Sequence, residues 1–127
     1  MLKAWETPFQ NESFPSVWVT TEKGDLDNTL VFVGWPAKWK IQFERIVGLK
    51  VNDETYDSNK RFWIDRDVND LCSYTWENSP WLQDFNADFV EALEDGKVIH
   101  YVFIGGDHNV EILACGKVTI DHVEIAT

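Results

Sequence analysis

The run Val98-Ile99-His100-Tyr101-Val102-Phe103-Ile104 decides how the rest of this chain is read. It is β-branched or aromatic almost throughout, the composition of a strand with one or both faces buried. Gly105-Gly106-Asp107-His108-Asn109 follows and reads as a hairpin loop in which glycine supplies positive φ. Val110 to Cys115 then reads as a second strand, Gly116-Lys117 as a short turn, and Val118 to Ile125 as a third strand. Three strands joined by short loops predict an antiparallel meander at the C-terminal end.

Upstream of this run, Ser79-Pro80 has the form of a helix start. Serine accepts from free N–H groups of the first turn, and proline is tolerated at the first helical position. Trp81, Leu82 and Phe85, then Phe89, Val90 and Leu93, are spaced for one helical face, and Asn86-Ala87-Asp88 allows a break into two helices. Leu71 to Trp76 alternates as a strand does, and Arg61 to Asp65 reads as a short strand or ordered loop. Trp39 to Val51 alternates with period two until Ile46 and Leu49 break the parity, with Gly48 as the residue that marks a bulge or bend. Val17 to Thr21 and Thr29 to Val33 are strands separated by a turn-rich segment, and the first sixteen residues read as an extended arm or edge. The expectation is an α+β fold, mainly β. One domain over 1–127 would hold an antiparallel sheet, with one or two helices between residues 79 and 95 packed on it.

The chain has 127 residues, with 22 acidic side chains against 11 Lys and Arg, a formal net charge of −11. A polyanion of this kind is repelled by phosphate backbones and anionic lipid, which argues against direct binding of nucleic acid or a membrane surface. An apolar fraction of 44% with 14% aromatics is too rich for a disordered acidic tail. No run approaches the roughly 18 apolar residues of a membrane span, and the opening residues lack a secretory pattern, so a cytosolic protein is expected. Cys72 and Cys115 are far apart and outside any CxxC pair, and read as small, reduced, buried residues.

The charge is uneven. Residues 53–95 carry net −9 of the total −11, with Trp63, Trp76 and Trp81 among their acids. Carboxylates interleaved with large aromatics suit a surface for a basic protein: the acids steer encounter and accept from Lys and Arg, and the aromatics anchor. The candidate partner-binding residues are Asp65, Asp67, Asp70, Trp76, Glu77, Trp81, Asp84 and Asp88. A solvated face over an ordinary aromatic core is the plainer reading of the same residues.

Other chemistries fit less well. Asp65, Asp67 and Asp70 imitate the start of a calcium loop, but the central glycine is missing and Trp76 stands where the closing glutamate belongs. His100, His108 and His122 with Asp107 and Glu111 lack the spacing of a metal or catalytic motif, so no cofactor is expected. Gly105-Gly106 joins two strands and opens no helix, so it is not a phosphate cradle. Trp18, Phe32, Phe43, Tyr101 and Phe103 read as core, with a half-open barrel for an apolar ligand as an alternative. A small His/carboxylate enzyme is the other alternative.

His100-Tyr101-Val102-Phe103-Ile104, Asp107 and Val110-Glu111-Ile112-Leu113-Ala114, taken with Ser79-Pro80-Trp81-Leu82, resemble small bacterial proteins of the immunity type that accompany polymorphic or contact-dependent toxins. The likeness covers about the last fifty residues, and its motifs are structural, so it transfers no functional residue. It implies a non-enzymatic cytoplasmic protein that binds and blocks a basic toxin such as a nuclease.

Overall fold

A computed structural model of the chain describes residues 2–12, 15–21, 29–34, 38–53, 72–77, 79–84, 97–106 and 108–123, with Asp53 by its backbone alone. Its strands are β1 (Leu2–Ala4), β2 (Val17–Thr21), β3 (Thr29–Val33), β4 (Trp39–Asp53), β5 (Ser73–Trp76), β6 (Ile99–Ile104) and β7 (His108–His122). They form a 7-stranded sheet in the order β1-β5-β6-β7-β4-β3-β2, every pairing antiparallel. Among the described residues the helix is a single turn, α1 (Pro80–Asp84), and none is long and apolar enough to cross a membrane. The mainly-β antiparallel expectation therefore holds. The arm before residue 16 does supply an edge strand, β1. The expected strand or loop at 61–65 and any helix beyond residue 84 lie outside the described residues.

The expected meander needs correction. Ile99–Ile104 and the strand after it pair as anticipated, but Gly116-Lys117 is not a turn, because β7 continues through it to His122. The reason lies in the partner strand. As β4 steps from Phe43 to Arg45, β7 steps from Val118 to Cys115, so Gly116 and Lys117 together face Glu44. This is a β-bulge with glycine at φ +83°, the left-handed conformation that glycine tolerates best. The Glu44 carboxylate lies over Gly116 and accepts from the Lys117 N–H at 2.7 Å. Read in isolation, Gly-Lys between β-branched residues looks like a reversal; the long partner strand instead turns it into a kink.

A second irregularity falls on β4, where Val47 is the extra residue between the pairs Ile46–Ala114 and Gly48–Leu113. Gly48 thus sits at the bulge that its position in the sequence suggested. Bulges increase local twist and bend a strand. The sheet curls so far that the segment entering β2 meets the β6–β7 loop, where Gly106 N–H donates to the Pro15 carbonyl at 2.8 Å. Gly105 has no room for a side chain: a Cβ there would lie 2.5 Å from the His108 carbonyl oxygen across the hairpin and 2.9 Å from both the Pro15 oxygen and Val17. Neither Gly105 nor Gly106 has the positive φ expected of a hairpin glycine; among the described glycines that belongs to Gly34 and Gly116.

The concave face holds the main core: Val17, Val31, Val33, Ile41, Phe43, Ile46, Tyr101, Phe103, Val110, Ile112 and Ala114. Residues 5–12 cross this face and close it. Trp5 rests on Tyr101 at 4.8 Å between ring centroids, and Phe9 stacks on Phe103 at 6.2 Å. The crossing segment is fastened to the start of β5. Cys72 N–H donates to the Gln10 carbonyl, Ser73 Oγ donates to the Trp5 carbonyl, and Cys72 Sγ donates to the Phe9 carbonyl. Burial pushes the Cys72 thiol up to about 12, with Glu12 adding to it, and burial likewise raises the Tyr101 phenol. Both cysteines are reduced and buried, as their spacing suggested.

Phe43, Tyr101 and Phe103 belong to this core, but Trp18 and Phe32 do not. They alternate with the inward Val17, Val19, Val31 and Val33, and so stack on each other on the opposite face at 4.3 Å. Of the five aromatics expected in the core, three are there and two form a separate cross-strand pair.

Candidate functional site

The other face of β5, β6 and β7 is also buried, and it is not purely apolar. Leu2, Tyr74, Trp76, Val102 and Ile104 form one cluster there, and Val98, Leu113 and Cys115 form another against Val47, Trp81 and Leu82. Between them lie His100, Asn109 and Glu111, each at most 1% exposed. The hairpin register fixes this. With Ile104 opposite Asn109 and Val102 opposite Glu111, residues 100, 102 and 104 share a face with 109, 111 and 113. His100 is therefore diagonal to Glu111, within reach of its side chain.

The polar groups form a chain. Asn52 Nδ2 of β4 donates to Glu111 Oε2 at 3.1 Å, Glu111 Oε1 lies 3.0 Å from His100 Nε2, and His100 Nδ1 lies 2.6 Å from Ser79 Oγ. Ser79, fully buried, also accepts from the Leu82 N–H at 3.1 Å and so caps α1. The serine that reads as a helix start thus has a second role. Two tryptophans hold the imidazole: Trp76 stacks on it at 5.3 Å, and Trp81 meets it edge-on at 5.2 Å. Trp81 can lie there because residue 48 has no side chain; a Cβ on Gly48 would sit 2.7 Å from its ring. Lys50, opposite Glu111 in the β4–β7 register, places its ammonium 4.2 Å from the centre of the Trp81 ring.

A cleft of about 310 Å³ opens beside this cluster, lined by Trp76, Leu82, Val98 and His100 among others, with the exposed Glu77 and Lys97 at its rim. Lys3 bonds Glu77 at 2.9 Å and holds its carboxyl below the usual range.

Of the residues expected to bind a partner, Trp76, Glu77, Trp81 and Asp84 fall at this end of the sheet. Trp76 is buried beneath the cleft, Trp81 is half-buried, and Glu77 and Asp84 are exposed. Asp65, Asp67, Asp70 and Asp88 lie outside the described residues. The three histidines do not gather. His108 pairs with Asp53 at one end of β7, and His122 pairs with Trp39 at the other. Among the described residues no three His, Cys, Asp or Glu side chains are placed to hold a metal ion. Ser79, His100 and Glu111 have the residue types of an acyl-transfer triad, but a nucleophile must meet substrate. Ser79 Oγ is enclosed and already shared between a helix cap and the imidazole. No protein-family model, curated protein or solved structure matches the chain.

Proposed function

We propose that this protein is a non-enzymatic binding module of the immunity or inhibitor kind, acting in the cytoplasm on a basic protein such as a nuclease toxin. The observation that carries the reading is the concentration of net −9 in residues 53–95, whose described portion brings Glu77, Trp81 and Asp84 to one end of the sheet. Trp81 already accepts a cation on its face, from Lys50. Carboxylates presented where phosphates would go occlude a cationic active site, and half-buried aromatics supply the anchors.

The test is calorimetric titration against basic nuclease domains encoded beside this gene, with nuclease activity followed in parallel. Inhibition should be stoichiometric, and the association rate should fall at least about tenfold between low and high salt. Failure of every neighbouring basic product to bind, or binding indifferent to salt, overturns the proposal.

A further inference from the structure

We infer that His100 is a proton-controlled latch: neutral, with its hydrogen on Nε2, it holds the Ser79 cap and Trp81 in place, and a second proton releases them. The argument is a count of hydrogens along the buried chain. Leu82 N–H donates to Ser79 Oγ, and Asn52 Nδ2 donates to Glu111 Oε2. With Glu111 as a carboxylate, which has only acceptors to offer, the bond at Oε1 takes its hydrogen from His100 Nε2. Nδ1 is then an acceptor, and the Ser79 hydroxyl donates to it across 2.6 Å. In this state Leu82 N–H, the Ser79 hydroxyl and His100 Nε2–H each have an acceptor.

A hydrogen on Nδ1 breaks the pattern. Ser79 Oγ would then receive both His100 and Leu82, and its own hydrogen would be stranded at a site with no solvent exposure. The structure relieves this by turning Ser79 away, which uncaps α1 and loosens Trp81, one turn residue on. Charged and titratable groups face the imidazole from every element packed against it. They are Glu111 on β7, Glu77 after β5, Asp84 on α1, Lys50 on β4 and Lys97 before β6, about an imidazole held between Trp76 and Trp81. Tyr74 on β5 and Cys115 on β7 are the other titratable side chains buried on this face.

Nitrogen-15 NMR of the imidazole, with amide exchange of Leu82 and tryptophan fluorescence, tests the latch from about pH 8 to about pH 5, where imidazoles titrate. The Nε2–H tautomer is expected at the alkaline end. As His100 titrates, Leu82 exchange, corrected for its intrinsic rate, should rise about fivefold, as loss of one N-cap bond implies. In Ser79→Ala, Leu82 should exchange fast throughout, and in His100→Gln its protection should not change with pH. An Nδ1–H tautomer at the alkaline end, an imidazole that takes no second proton down to about pH 5, or Leu82 protection unchanged when it does, overturns the proposal. All of those readings come from the unaltered protein, so they stand even where a variant fails to fold, and none depends on a partner.

Discussion

The two faces of β6 and β7 are both buried, yet they are held by different physics. On the concave side Tyr101, Phe103, Val110, Ile112 and Ala114 meet other apolar groups, and any arrangement that excludes water is rewarded. On the opposite side His100, Asn109 and Glu111 are enclosed among Tyr74, Val102 and Leu113. There burial is favourable only when every polar atom finds its partner. The first face supplies stability and the second supplies specification, because few arrangements of α1, β4 and β7 satisfy Ser79, His100, Glu111 and Asn52 together.

The comparison can be broken most severely on the apolar side. Phe103→Ala removes a fully buried ring touched by Trp5, Phe9 and Phe43, and should cost about 3–5 kcal/mol in urea denaturation. On the polar side Glu111→Ala should cost roughly 3 kcal/mol, since it orphans the donors of His100 and Asn52. The sharper result is the double change Glu111→Leu with His100→Leu. It should be less destabilised than Glu111→Ala despite altering more, which no purely apolar site would show. Gly48→Ala should cost about 1–3 kcal/mol and shift tryptophan emission, because the new methyl meets Trp81.

Alkali returns the comparison to the concave side. The folded state holds the Cys72 thiol at about 12 against an ordinary 9.0, and Tyr101 is raised too, so the folded form keeps protons that the unfolded chain releases. Stability from these groups is complete below pH 9.0 and is lost as pH rises toward 12. The urea midpoint should therefore fall through that window, and Cys72 should resist iodoacetamide at neutral pH until the protein unfolds. The smallest effect is at the surface, where Lys3→Ala removes an exposed pair with Glu77 and should leave the midpoint unchanged.

The sheet was legible in the sequence where β-branched and aromatic residues were dense, as in Val17–Thr21, Thr29–Val33 and Ile99–Ile104. Gly48 and Ser79 were legible because a bulge and a cap each demand a residue type. Gly116 misled because glycine followed by lysine serves a turn and a bulge equally well, and only pairing with Glu44 selects between them. Trp18 and Phe32 misled because size suggested core while parity against four valines put them outside. His100 and Glu111 were noted as candidates on composition alone. Their contact was implicit in the hairpin register, but it needed the loop length to be right. Ser79 and Asn52 carried no signal as members of the chain, since their contacts span 21 and 59 residues.

The segment that closes the concave face has a consequence for the order of assembly. Its bonds through the Cys72 and Ser73 side chains span 63 to 68 residues, so Trp5 and Phe9 leave the ribosome long before the strand that fastens them exists. Until then the apolar side chains they cover can only be shielded transiently, and closing so long a loop is an entropic cost met late. The part of the chain made early is thus set in place late, and the interval between is when this protein is most open to aggregation.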